Sequence, residues 1–315
     1  MYLNKFASTD TPLDMTPSEE FASLLSSAAD LSISHHPEIR YRSRNIIANH
    51  QRFHFLEWGS PELPTVLLLH GSNQSAHSWD LVSLHLSSRF HVLALDQRGH
   101  GDSEWARDVD YSATAMAHDA LAFMDELEVE QPIVVGHSMG GLNSMRLILD
   151  QPRRVRALVL VDIGPVIAEA GANAVRHFVT EHREFDDLDA FVRAVQKYDP
   201  YRSREHIERT VKYNMLQRAD GKYVSKRDHG PRLAATGEHR ERHDRFSLEE
   251  AATIEHEVLL IRGADSNILT PEGATAFIDA LPRGQLKTVT EAGHNVHGQN
   301  TSGFLEAINP FLNSL

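Results

Sequence analysis

The sequence predicts an α/β fold: a mostly parallel, eight-stranded sheet with helices on both faces and an inserted helical lid. Three observations predict it. Short apolar runs alternate with helix-compatible segments of roughly 10–15 residues, the rhythm of strand–helix–strand units. That rhythm breaks once, between Gly164 and Glu255, where a long polar stretch replaces the next strand. One apolar run also ends directly in Gly136-His137-Ser138-Met139-Gly140, a pattern with a mechanical meaning at a strand–helix junction.

The bulk composition sets limits on function. The chain has 315 residues, 41% hydrophobic and 24% charged, enough for one large domain with an inserted subdomain. Its net charge of −13 argues against non-specific affinity for nucleic acid or anionic membranes. There is no cysteine, so disulfides, thiolate metal sites and cysteine nucleophiles are excluded. The N-terminus lacks the basic-then-apolar layout of a signal peptide, and no stretch approaches the ~20 apolar residues of a membrane span. A cytoplasmic location is therefore expected.

Residues 1–43 form an extension rich in Ser, Thr, Pro and acidic residues, with one amphipathic helix predicted around Ser18–Leu31. It is read as an appendage rather than a catalytic part. Residues 44–163 and 256–315 form the core, and residues 164–255 the lid. Asn45–Ala48 and Arg52–Trp58 read as a hairpin, followed by the buried-strand run Thr65–His70. Helix Ala76–Ser87 precedes strand His91–Asp96, and helix Ser112–Glu126 precedes strand Pro132–Gly136. Helix Met139–Leu149 leads to strand Ala157–Asp162. After the gap come strand Val258–Arg262, helix Pro271–Leu281, strand Gln285–Thr290 and helix Thr301–Leu312. A connection as long as the gap is rarely structureless. Within it, Leu188–Val195 and Arg204–Leu216 read as amphipathic helices and Ala219-Asp220-Gly221 as a turn.

Gly136-His137-Ser138-Met139-Gly140 follows the apolar strand Ile133-Val134-Val135 and precedes a helix-compatible segment. In that context G-x-S-x-G is a nucleophile elbow: the chain turns sharply with serine at the apex, and its neighbours two away must be small. Ser138 is the candidate nucleophile. Of 20 histidines, His294 has the best setting for a general base, after a strand and the turn Ala292-Gly293. His297 is its near competitor. The candidate oxyanion-hole donors are the backbone N–H groups of Met139 and of Ser72, in the loop that begins His70-Gly71. Glu238–His243 places His239 and His243 four apart, the spacing of a helical metal pair. No third ligand is evident, and a charged lid face is the preferred reading. The aromatics Phe178, Phe185, Phe191, Tyr198, Tyr201 and Tyr213 read as the lid's own small core, with one or two facing the substrate.

Taken in order, His70-Gly71, Asp96–Ser103, Gly136–Gly141, Asp162-Ile163-Gly164-Pro165, Arg262-Gly263 and Ala292-Gly293-His294 resemble the α/β-hydrolase superfamily from about residue 44 to the end. In that family Asp96–Ser103 would be a loop shaping the pocket floor. The resemblance also implies a triad acid, usually after the seventh strand, three or four residues beyond the loop glycine. Those positions hold Ser266 and Asn267, neither charged, and Asp265 is one residue out of register. Asp162 is the favoured acid, at the end of the sixth strand and 24 residues after Ser138, as in a subset of small esterases. Asp265 stays as the alternative.

The resemblance implies a serine hydrolase that cleaves a carboxylic ester of a small organic substrate through an acyl-enzyme. No metal or organic cofactor is implied. A C–C bond hydrolase, a lactonase or a thioesterase on the same residues are alternatives, as is a non-hydrolytic receptor. Ser138 argues against epoxide hydrolases and haloalkane dehalogenases, which carry Asp there.

Overall fold

A computed structural model describes residues 19–181, 183–229 and 246–315. Its centre is an eight-stranded sheet built from β1 (Tyr41–Ala48), β2 (Gln51–Trp58), β3 (Thr65–Leu69), β4 (His91–Leu95), β5 (Ile133–His137), β6 (Ala157–Val161), β10 (Val258–Gly263) and β11 (Gly284–Val289). The spatial order is β1-β2-β4-β3-β5-β6-β10-β11. β1 and β2 form an antiparallel hairpin, and β2 runs antiparallel to β4. Every other neighbouring pair is parallel. The strand positions match the sequence expectation. Their physical origin is plain in β4, β5 and β6, where every residue is buried. Helices cover both faces, so these strands need no polar side.

Two apolar layers follow from that arrangement. One joins Trp58, Trp79, Val92, Val135, Val159 and Phe304. The other joins Phe55, Phe123, Leu67, Val134, Leu160 and Phe277 on the opposite face. Helix α1 (Glu19–Asp30) adds Phe21, Leu24 and Ala28 to the first layer. It therefore packs on the core, close to the span that its amphipathic spacing predicts. Residues 1–18 lie outside the described residues.

Helix α2 (Asp80–Leu86) follows β3, and α3 (Ala113–Glu126) follows β4. Helix α4 (Met139–Asp150) follows β5 directly. Between β6 and β10 the chain leaves the sheet and builds α5 (Glu169–Glu181), α6 (Leu188–Tyr198) and α7 (Arg204–Val211). It also forms β7 (Glu184–Phe185), β8 (Met215–Gln217) and β9 (Tyr223–Ser225), a small antiparallel sheet in the order β7-β9-β8. The sequence predicted helices and a turn at Ala219-Asp220-Gly221 in this segment but no strands, and the helix expected over Arg204–Leu216 ends at Val211. Phe191, Val192, Val195, Ile207, Val211 and Met215 form the insertion's own apolar cluster. The pair His239 and His243 lies outside the described residues.

The insertion is fastened to the core at its polar points. Arg209 of α7 donates to Asp80 of α2 at 3.0 Å, both side chains buried. Ser225 of β9 donates to Asn73 Oδ1 at 2.9 Å. Tyr111 donates to Asp228 at 2.6 Å, and Lys226 pairs with Asp102 at 2.6 Å. No helix among the described residues is long and apolar enough to cross a membrane.

Candidate active site

Ser138 stands at the junction of β5 and α4 with φ +50° and ψ −113°. A non-glycine residue adopts this backbone only under constraint from its surroundings. The constraint is visible in its neighbours. A Cβ on Gly136 would lie 2.4 Å from the Gly140 carbonyl oxygen, and one on Gly140 would lie 2.2 Å from that of Leu69. The helix thus abuts the sheet closely enough to drive the serine outward. Met139 is the first residue of α4, so its N–H is one of the donors a helix cannot satisfy internally. Ser138 and Ser72 line the same cavity of about 360 Å³. Close packing also shapes the Ser72 loop, because a Cβ on Gly71 would meet His137 Nδ1 at 2.6 Å.

His294 sits in the loop after β11. Its Nε2 lies 2.9 Å from Ser138 Oγ, and its Nδ1 lies 2.8 Å from Asp162 Oδ2. A carboxylate only accepts, so Nδ1 carries the proton and donates to Asp162. Nε2 is left to accept from the serine hydroxyl. Asp162 follows β6, has φ +52° and is fully buried. Besides His294, it accepts from Gly263 N–H at 3.1 Å and from the Ser266 hydroxyl at 2.5 Å. Those three bonds come from the β10 end, the following loop and the β11 loop, so the carboxylate is fixed from three sides.

Ser266 escaped the sequence reading. It occupies a position where the resemblance predicted an acid, and its hydroxyl donates to Asp162 instead. Its oxygen accepts from the N–H groups of Ile268 and Leu269 at 3.1 and 3.2 Å, which directs its hydroxyl proton to Asp162. The alternative acid, Asp265, is not part of this chain of bonds. It is exposed and accepts from the Tyr201 hydroxyl at 3.1 Å. Asn267 lines the cavity without bonding to His294.

The competitor His297 is buried and stacks on Trp79, ring centroids 3.8 Å apart and planes at 18°. Burial, with Arg202 and His294 nearby, pushes its pKa down to about 3, so it is a neutral ring in the core. His137, beside the serine, bonds through Nε2 with the His294 carbonyl at 2.9 Å. Burial and the neighbouring His294 hold His137 well below the usual histidine range. Gln74 accepts from Gly71 N–H at 3.0 Å and donates to Asn295 at 3.2 Å. That residue ties the Ser72 loop to the His294 loop.

None of Asp96–Ser103 lines the cavity, contrary to the pocket-floor expectation. Asp96 instead accepts from His54 at 2.7 Å and from Ala76 N–H at 2.6 Å, while Gln97 donates to the His70 carbonyl at 2.7 Å. The loop braces the Ser72 loop from behind. His54, Asp96 and Asp102 bring possible metal-ligand atoms within 4.8 Å of one another. Both His54 nitrogens are engaged, Nδ1 by Asp96 at 2.7 Å and Nε2 by Ser43 at 2.8 Å, and Asp102 Oδ1 pairs with Lys226. This is a structural brace. Of the insertion's aromatics, Phe178, Phe191, Tyr198 and Tyr201 line the cavity. Tyr213 instead stacks on His77 of the core.

A mostly parallel sheet that carries a serine on a strained strand–helix turn, bonded to a histidine and a buried aspartate, defines a hydrolase architecture. The chain belongs to the alpha/beta hydrolase fold family, whose profile matches residues 64–301. It is 27% identical to the esterase Rv0045c of Mycobacterium tuberculosis over 96% of this chain and 98% of that one. A crystal structure of that esterase superposes with a TM-score of 0.76, covering 95% of this chain and all of the other, at 25% identity. The sn-1-specific diacylglycerol lipase ABHD11 of Mus musculus is 27% identical, over 81% of this chain and 82% of its own length. The chain is thus an esterase-like hydrolase of this family.

Proposed function

We propose that the protein hydrolyses carboxylic esters of small organic substrates through an acyl-enzyme on Ser138. The observation that carries this reading is the continuous bond path Ser138–His294–Asp162, at 2.9 and 2.8 Å. Ser138 Oγ attacks the acyl carbon while its proton passes to His294 Nε2. The developing oxyanion is held by the N–H groups of Met139 and Ser72. His294 then returns the proton to the leaving alkoxide, so the alcohol departs and Ser138 is acylated. In the second half water attacks the acyl carbon as His294 takes its proton. The bond from that carbon to Ser138 Oγ then breaks, His294 returns the proton to Oγ, and the free acid leaves. Asp162 holds the imidazole in the required tautomer and stabilises the imidazolium that forms at each step. The insertion between β6 and β10 acts as a lid over the cavity, and its Phe178, Phe191, Tyr198 and Tyr201 supply the aromatic wall.

The test is hydrolysis of 4-nitrophenyl butanoate by wild type and by Ser138→Ala, Asp162→Asn and Asp265→Asn. Ser138→Ala abolishes turnover above the uncatalysed rate. Asp162→Asn lowers kcat by roughly 10⁴-fold, the effect of losing the charge but not the shape. Asp265→Asn stays within about threefold of wild type, since an exposed side chain outside the bond path stabilises little of the transition state. Collapse in Asp265→Asn alone, with Asp162→Asn active, would overturn the assignment of the acid.

A further inference from the structure

The cavity that holds Ser138 also holds a guanidinium. Arg202 lies between α6 and α7 and lines the cavity, yet its side chain is only 10% exposed. Its Nε donates to Asp199 Oδ2 at 2.7 Å and its Nη1 to Thr210 Oγ1 at 3.3 Å. Nη2 has no acceptor among the described residues. Arg202 therefore brings an incompletely occupied donor edge to the wall of the cavity that holds Ser138.

Asp199 does not close that edge. Its second oxygen accepts from Gln299 Nε2 at 2.9 Å, so both oxygens are engaged and the guanidinium plane is fixed. The pair is formally neutral, which leaves no net repulsion against an incoming anion. Asp265, the other carboxylate on the cavity wall, is exposed and engaged by Tyr201. The wall next to Arg202 includes His206, 9% exposed, whose ring makes no hydrogen bond within the described residues. Burial, then Arg209 and Arg202, push its pKa down to about 2, so it offers one neutral N–H donor at physiological pH.

What fills this end of the cavity follows from the cost of covering it. A purely aliphatic chain would strip water from a buried guanidinium and return no acceptor, which is unfavourable. A carboxylate supplies two acceptors with the spacing of the Nη1–Nη2 edge, and the bonds are charge-assisted. We propose that Arg202 anchors a carboxylate subsite, so that the esters cleaved at Ser138 carry a second, free carboxylate. This rests on the serine-hydrolase reading above.

The carboxylate can belong to the acyl part or to the alcohol part, and two substrate pairs separate these. For the acyl side, kcat/KM for 4-nitrophenyl hydrogen adipate is compared with that for 4-nitrophenyl hexanoate. For the alcohol side, 4-butanoyloxybenzoate is compared with its methyl ester. Each rate is corrected with Ser138→Ala. Wild type favours the acid in at least one pair, and Arg202→Gln lowers that acid-over-neutral ratio by about 10- to 100-fold, the size of one lost charged hydrogen bond. Arg202→Lys restores part of the ratio. Because a ratio is read, a general loss of folded protein cancels. Hydrolysis of the neutral esters with no preference for the acid, or a ratio unchanged in Arg202→Gln, overturns the subsite and leaves the hydrolase reading standing. If no ester is cleaved above the blank, the hydrolase reading fails. Calorimetric titration of Ser138→Ala with adipate then decides the subsite alone: binding that Arg202→Gln abolishes supports it, and no binding refutes it.

Discussion

Asp162 accepts three hydrogen bonds inside the protein, and the donor nearest to it is Ser266 at 2.5 Å. A hydroxyl so placed fixes the carboxylate against His294, and in the proposed mechanism that carboxylate orients the ring which takes the serine proton. Ser266→Ala is therefore expected to reduce kcat by roughly tenfold, since one donor of a fixed set is lost. The same change orphans the N–H groups of Ile268 and Leu269, so stability falls by about 1–3 kcal/mol. Steady-state kinetics beside chemical denaturation tests this: loss of stability with kcat intact would reduce Ser266 to a loop brace. At this scale the sequence was legible where chemistry is local. Ser138 is marked by its own pentapeptide and His294 by the turn before it. The pairing of Asp162 with Ser266 joins positions 104 apart in the chain, and no spacing rule reveals such a bond.

Among the elements, β9 has a role that its size conceals. It is three residues long, yet its last residue, Ser225, holds Asn73 by the side chain. Asn73 has φ +62° and directly follows Ser72. A residue held left-handed needs support from its partners, so the insertion's small sheet helps set where the Ser72 N–H points. Ser225→Ala is expected to lower kcat about three- to tenfold with KM nearly unchanged, because the Ser72 N–H, in its proposed role as oxyanion donor, would act on the transition state rather than on binding. Affinity for an alkyl boronic acid, which mimics the tetrahedral adduct, should fall in step with kcat/KM. A fall in KM affinity alone would contradict the coupling. The eight main strands were readable because each is a buried apolar run between turn signals. β7, β8 and β9 have two or three residues each, too few to show an alternation, so they vanished into a helical reading.

For the molecule as a whole, buried histidines govern the response to acid. His297 and His206 have folded pKa values pushed down to about 3 and about 2 from an ordinary 6.5, burial being the main cause in both. Below pH 6.5 the unfolded chain binds protons at these sites and the folded one does not, so stability falls as pH falls. It is fully present above 6.5 and declines by about 2 kcal/mol per histidine between pH 6.5 and 5. Melting temperature should drop across that window. His297→Phe, which keeps a ring against Trp79 and removes two nitrogens without partners, should flatten the drop by one proton's worth. An unchanged pH slope would show that His297 is protonated in the fold. Composition announced 20 histidines but not which are walled off from water, because burial is decided by contacts distant in sequence.

The ion pair between Arg209 and Asp80 bears on how such proteins can be recombined. Its arginine belongs to the insertion and its aspartate to the core, and both are nearly inaccessible to water. A chimera that grafts residues 164–255 onto another hydrolase core would carry the cation and leave the anion behind. Stranding one partner of a buried pair costs about 3–5 kcal/mol, a large share of a domain's stability. Grafting the insertion onto a core that lacks α2's aspartate therefore requires moving that aspartate with it, so the exchangeable unit is discontinuous in sequence.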